Sequence, residues 1–232
     1  MKNILIIKCG TTFKNIKKEN ADFEDWIIKR SNLPERVFKV FDLPNGDQLR
    51  HPSEYIGAII TGSHYNVNQK HEWLKSLKDW IVTAFYSNIP VLGICFGHQA
   101  IAEALGGKVE LDKWGGQYGI GNISITDQGQ TDSLFKNTGK RLEAYKSHEY
   151  SVSELPLNAE LLAIDEQNSR IEAFKVGKIY GVQFHPEFNW QIMKAYIEEN
   201  EGTPPSRKRY KMKLEGKSEQ IIPNFLDLVL KF

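Results

Sequence analysis

The chain has 232 residues, of which 41% are hydrophobic and 25% are charged, and its formal net charge is +1. This balance is typical of a globular protein and excludes the strong net charge that favours nucleic acid or an anionic membrane as a partner. No apolar run approaches the roughly 18 residues that a membrane span needs, and the short apolar start is too short for a signal peptide. We therefore expect a cytoplasmic protein with one domain over residues 1–232, ending in a helical extension at about 189–232.

The first half of the chain alternates predicted strands with predicted helices. Short, largely apolar strands are predicted at residues 4–7, 37–41, 57–60 and 90–94. Helices are predicted at about 21–30, 70–87 and 98–105, the second with apolar residues recurring every three or four positions. This alternation favours an α/β fold: a flavodoxin-like open, mostly parallel sheet with helices on both faces.

After residue 108 the pattern changes to short alternating strands, predicted at 118–125, 141–145 and 161–164. The segments RIEAFKV and KIYGVQF flank Gly177 and predict a hairpin, so a small antiparallel sheet or hairpin is expected beside the parallel one. Apolar residues on one face predict a last helix around 221–229. The polar stretch 200–217 before it carries the basic run 207–209, for which we favour a solvated loop over a ligand site.

The segment from Gly93 to Gly97 has the pattern glycine, any residue, nucleophile, any residue, glycine, with Cys95 in the centre. A strand that turns this sharply into a helix leaves no room for flanking side chains, and it holds the nucleophile in a strained conformation. The helix N-terminus favours a thiolate, and the N–H of Phe96 can donate to an oxyanion. The alternative is a buried structural cysteine, which is our interpretation of Cys9, a small residue near the same cleft without a second glycine.

A thiolate nucleophile requires a base and a group that orients the base. His185 ends the apolar strand that begins at Ile179 and is followed by Pro186 and Glu187, whose carboxylate can hold the imidazole. A purely structural His-Pro-Glu turn is the alternative, and the cysteine elbow elsewhere in the chain argues against it. Three other histidines are expected to lie on the following helix, pointing elsewhere, or at the surface: His98, His51 and His71.

Together, the segments PVLGICFGHQ and YGVQFHPEF resemble the two signatures of the class I glutamine amidotransferases, and the resemblance extends over about residues 2–190. It implies a catalytic triad of Cys95, His185 and Glu187. It also implies an oxyanion hole in which the backbone N–H of Gly62 lies beside that of Phe96.

The same resemblance implies how the amino-acid part of glutamine is held. Gln99, one helical turn after the cysteine, matches a substrate-binding position. The segment KSHEYSV resembles a loop that grips the α-amino and α-carboxylate groups, with Ser147, Glu149 and Tyr150 at the matching positions. A simple strand end with a polar turn is the alternative for this segment. We further expect His64 and His148 to border the cleft.

The segments GICFGHQAIAEALGGKVE and SHEYSVSELP are most similar to the GMP-synthase-like branch of this family. Because no ATP-pyrophosphatase half and no phosphate-binding loop is seen, we expect a glutaminase that supplies ammonia to a separate synthetase subunit. The alternative is a stand-alone γ-glutamyl peptidase or hydrolase, and a second alternative is a non-catalytic regulatory module. The resemblance implies a small-molecule substrate and no metal or organic cofactor. We expect neither nucleic acid nor a membrane as a partner.

Overall fold

The computed structural model describes residues 2–201, 214 and 217–231. Its main feature is a nine-stranded sheet with the strand order β2-β1-β3-β4-β11-β10-β9-β6-β7. The strands of this sheet, in chain order, are β1 Ile4–Lys8, β2 Phe38–Asp42, β3 Gly57–Ile60, β4 Val91–Ile94, β6 Gln117–Ile125, β7 Arg141–His148, β9 Glu160–Asp165, β10 Ile171–Val176 and β11 Ile179–Val182. Two further strands, β5 Lys108–Leu111 and β8 Tyr150–Glu154, pair in a small antiparallel sheet.

The five strands from β2 to β11 are parallel and form the part of the sheet that the alternating pattern predicts. Helices cover both of its faces, because successive residues of a buried strand point to opposite sides. Ile4 and Ile6 of β1 belong to the core under α2 Phe23–Ser31 and α7 Ile221–Leu230. Leu5 and Ile7 belong to the opposite core, under α3 Glu72–Tyr86 and α4 Phe96–Ala104. The predicted fold class is therefore confirmed.

The hairpin predicted around Gly177 is confirmed as the antiparallel pair β10 and β11. The strands after residue 108 mostly extend the main sheet instead of forming a separate one, since β10, β9, β6 and β7 continue it by antiparallel pairing. The small two-stranded sheet uses β5 and β8, which the sequence pattern did not indicate as strands.

Further helices complete the described fold. The helix α1 Lys14–Asn20 was not predicted, because Ile16 is its single buried residue. The short α5 Asp127–Thr131 was also missed, whereas α6 Trp190–Glu201 and α7 lie in the predicted C-terminal helical part. The basic run 207–209 lies outside the described residues. Within those residues, no helix has the length and apolar character needed to cross a membrane.

Candidate active site

Cys95 lies at the turn between β4 and α4 with backbone angles φ 49° and ψ −100°, a strained combination for a residue with a side chain. The backbone N–H of Cys95 donates to the carbonyl of Val182 at 2.8 Å, which ties the turn to β11. A Cβ atom on Gly93 would lie 2.4 Å from the carbonyl carbon of Gly97, and one on Gly97 would lie 2.6 Å from the carbonyl oxygen of Ile60. Neither position has room for a side chain, because the neighbouring backbone lies too close, and glycine is therefore required at both.

His185 reaches the cysteine because β4 and β11 are adjacent parallel strands. The backbone N–H of His185 donates to the carbonyl of Tyr145 at 2.8 Å, which fixes the residue just beyond the strand end. Its Nδ1 lies 2.7 Å from Oε1 of Glu187, and both side chains are buried. The imidazole lies close enough to the side chain of Cys95 for the charge of that residue to raise the pKa of His185. The structure therefore brings together the three residues that the two sequence motifs indicated.

The charge state of this cluster follows from its neighbours. Burial alone lowers the pKa of His185, but the negative charges of Glu187 and Cys95 outweigh it and raise this pKa to about 10. The imidazole is consequently protonated at neutral pH. With Nδ1 bonded to Glu187, the other ring nitrogen is the one that can exchange a proton with a substrate.

Gln183 also contacts the sulfur and was missed by the sequence analysis. Its Nε2 donates to Sγ of Cys95 at 3.5 Å, and the side chain is almost fully buried. Gln183 directly follows β11 and lies two positions before His185, within the motif YGVQFHPEF. Its position in that motif is the signal by which the residue could have been found.

A cavity of about 380 Å³ opens over the sulfur of Cys95. Its wall contains five other residues that the sequence motifs indicated: Phe96, Gln99, Ser147, Glu149 and Tyr150. Gly62 is not part of this wall. It packs against the imidazole instead, since a Cβ atom there would lie 3.0 Å from Cε1 of His185. Its role as an oxyanion donor stays a prediction.

The segment expected to bind the amino-acid part of the substrate is a sharp turn between two strands. Ser147 lies near the end of β7, Glu149 forms the turn, and Tyr150 begins β8. Glu149 accepts a hydrogen bond from the hydroxyl of Tyr118 at 3.1 Å. The amide nitrogen of Gln99 donates to the carbonyl of Tyr150 at 2.8 Å, so that α4 and β8 are held together beside the cavity.

Two histidines line the cavity as expected. His64 packs against Phe13 with tilted rings whose centroids are 4.2 Å apart. Burial, followed by the charge of His185, lowers the pKa of His64. His148 is buried, and burial together with the charge of Lys146 lowers its pKa to about 3, so that its ring is neutral. Neither histidine carries charge into the cavity at neutral pH.

The remaining histidines and the second cysteine lie outside this cavity. His98 is buried against Phe174, while His51 is exposed and His71 stacks beside Trp73. Cys9 is fully buried, and burial raises the pKa of its thiol, which suits a core residue. Cys9 does not line the cavity, so the expectation that it lies at the cleft is wrong. The residues described here contain no group of three or more His, Cys, Asp or Glu side chains arranged to hold a metal ion.

An α/β sheet that presents a cysteine on a strand-to-helix elbow, beside a buried histidine–glutamate pair just beyond the end of the neighbouring strand, has the arrangement of a triad-type cysteine site. The sequence model of the family described as glutamine amidotransferase class-I matches residues 23–203. The chain belongs to this family.

Curated relatives carry two different names. The chain is 36% identical over 148 residues to gamma-glutamyl peptidase 4 of Arabidopsis thaliana, a match that covers 62% of this chain and 59% of the relative. It is 31% identical over 183 residues to a subunit of the glutamine-hydrolyzing GMP synthase of Saccharolobus solfataricus, covering 75% of this chain and 80% of the relative. For the corresponding subunit in Pyrococcus abyssi, the identity is 44% over 43% of this chain and 52% of the relative. The chain thus spans less than two thirds of the length of the first and third of these relatives.

Solved structures show the same fold. A glutamine amidotransferase from Thermotoga maritima superposes with a TM-score of 0.74 at 22% identity, with all of both chains covered. A glutamine amido transferase from Methylobacillus flagellatus superposes with a TM-score of 0.73 at 17% identity, covering 98% of this chain and 95% of that one.

Proposed function

We propose that the chain hydrolyses the γ-amide of glutamine through a thioester on Cys95 and releases ammonia and glutamate. The observation that supports this most directly is the buried cluster of Cys95, His185 and Glu187, in which Cys95 lines an open cavity. Family membership supports the same reaction class.

In the proposed first half-reaction, the thiolate of Cys95 attacks the δ-carbonyl carbon, and the oxygen becomes an oxyanion. The N–H groups of Phe96 and Gly62 are the proposed donors to that oxygen, each worth on the order of 3 kcal/mol of barrier. The imidazolium of His185 then gives its proton to the leaving nitrogen, the carbon–nitrogen bond breaks, and ammonia departs.

In the proposed second half-reaction, water attacks the γ-glutamyl thioester while His185 takes up a proton from it. The carbon–sulfur bond breaks, the thiolate is restored, and glutamate leaves. Gln99, Ser147, Glu149 and Tyr150 are proposed to hold the amino-acid part of the substrate, because all four line the cavity. The ammonia acceptor would be bound by a separate synthetase chain, which the names of the GMP synthase relatives suggest for those proteins.

A second candidate function, hydrolysis of other γ-glutamyl amides, is favoured by the cavity wall on the side of His185. Phe13, His64 and Tyr196 form an aromatic group there: Nε2 of His64 lies 3.3 Å from the hydroxyl of Tyr196. His64 lies two positions after Gly62 in the sequence. Gly62 packs against the imidazole of His185, which would protonate the leaving nitrogen. Ammonia needs no such wall, whereas a substituent on that nitrogen would pack against it.

The test is release of glutamate by the purified chain from glutamine, glutathione and other γ-glutamyl amides. Cys95→Ala should abolish release from every substrate, and Cys9→Ala is the matched control that should retain it. Preference for glutamine supports the first function; preference for substituted amides that His64→Ala removes supports the second.

A chain that releases no glutamate from any of these substrates and whose Cys95 does not react with a diazoketone analogue of glutamine would contradict both functions. That result would favour the regulatory module.

A further inference from the structure

Two buried amide side chains connect the backbone of β8 to the reactive sulfur. The amide nitrogen of Gln99 donates to the carbonyl oxygen of Tyr150 at 2.8 Å and to Oε1 of Gln183 at 3.1 Å. The amide nitrogen of Gln183 in turn donates to Sγ of Cys95 at 3.5 Å. Gln183 and Gln99 are 1% and 5% exposed, so water does not compete for these bonds.

The chemistry of the chain fixes the direction of every bond in this series. A backbone carbonyl can only accept, so the side of Gln99 that faces Tyr150 must be its NH₂ group. The second hydrogen of that group points to Gln183, which must therefore accept the hydrogen bond with its side-chain oxygen. Gln183 therefore has only its NH₂ group left to present to the sulfur of Cys95.

We infer that Gln183 is a catalytic residue that donates a hydrogen bond to the Cys95 thiolate, and that Gln99 and the backbone of Tyr150 orient it. A donor facing the sulfur stabilises the anion more than the thiol, because hydrogen bonds to a charged acceptor are the stronger ones. The donor also stabilises the thiolate as a leaving group when the thioester breaks down. That last consequence rests on the proposed function.

The same series limits what Gln99 can do for a substrate. Both hydrogens of its amide group are engaged, one by Tyr150 and one by Gln183. Only its oxygen remains to contact a ligand. Gln99 is therefore a positioning residue for the nucleophile, in addition to the substrate role implied by the family resemblance.

The test measures the rate at which iodoacetamide alkylates Cys95 as a function of pH. All variants carry Cys9→Ala, so that Cys95 is the single thiol available for alkylation. Gln183→Met retains the length of the side chain and removes the donor. We expect the pH at which the rate is half-maximal to rise by about 1 to 2 pH units, the range for a hydrogen bond to a charged group. Gln128→Met, at an exposed position of α5, is the matched control and should not change it.

Gln99→Met removes the orienting bond and leaves Gln183 in place, so it should raise the half-maximal pH by a smaller amount. The double variant should resemble Gln183→Met alone, because both changes act through one bond to the sulfur. If Gln183→Met does not fold, the half-maximal pH of the Gln99→Met variant serves as the test instead.

An unchanged half-maximal pH in a folded Gln183→Met variant, or in a folded Gln99→Met variant if the first does not fold, would overturn the inference. The measurement does not require turnover. A chain that shows the shifts but releases no glutamate would contradict only the proposed function. Normal glutamate release with no shift in the variants would contradict only the role of Gln183.

Discussion

The ion pair between His185 and Glu187 makes a quantitative prediction for Glu187→Gln. Two unit charges about 4 Å apart interact by about 4 kcal/mol at an effective dielectric constant near 20. Since 1.36 kcal/mol corresponds to a tenfold change in a protonation equilibrium, removing the carboxylate should lower the pKa of His185 by about three. This pKa is raised to about 10 in the intact protein, so it should fall to about 7 in the variant.

The assay is the pH dependence of glutamate release. In the proposed mechanism the imidazolium protonates the leaving nitrogen, so activity should fall as pH rises through the pKa of His185. The alkaline limb of the profile should therefore move from near pH 10 to near pH 7, and the rate at pH 8.5 should fall more than tenfold. Titration of the His185 ring by NMR checks the same shift without turnover. Glu154→Gln, at an exposed position, is the matched control.

The same pair predicts how stability depends on pH. Because folding raises the pKa of His185, its contribution to the free energy of unfolding is complete below the unfolded value near 6.5 and is lost as pH rises through about 10. The stability difference between the wild type and Glu187→Gln in urea unfolding should therefore be larger at pH 6 than at pH 10. An alkaline limb that stays near pH 10 in a folded Glu187→Gln variant would refute the reasoning.

Two further predictions concern the scaffold around the site. Nζ of Lys146 pairs with buried carboxylates of Asp165 at 2.7 Å and Glu172 at 2.5 Å, so Lys146→Met should cost about 3 to 5 kcal/mol of unfolding free energy. Burial already raises the pKa of Glu172 to about 7, so protonation should make that loss smaller at pH 5 than at pH 8; equal losses in urea unfolding would contradict this. Gly97→Ala places a Cβ atom 2.6 Å from the carbonyl oxygen of Ile60, which should cost about 1 to 3 kcal/mol and displace the elbow. Unchanged thermal unfolding and glutamate release would count against that steric account.

Some elements could not be predicted because their local signals are weak. The helix α1 has one buried residue, and the strands β5 and β8 have one each, Val109 and Val152. With a single buried residue, an element shows neither the helical nor the strand periodicity of apolar residues. These strands are stabilised by pairing with each other across about forty residues of chain. A property of two distant segments cannot be read from either one alone.

The sequence by itself determined the parallel half of the fold, the elbow around Cys95 and the pairing of His185 with Glu187. Each of these depends on residues a few positions apart, where steric limits and strand or helix periodicity act directly. Only the tertiary structure decided that β11 lies beside β4, which brings His185 to Cys95 across 90 positions of the sequence. It also decided that amides from α4 and the end of β11 meet between Tyr150 and the sulfur. Hydrogen-bond direction in a buried site depends on which distant groups folding brings together, and no local pattern records that.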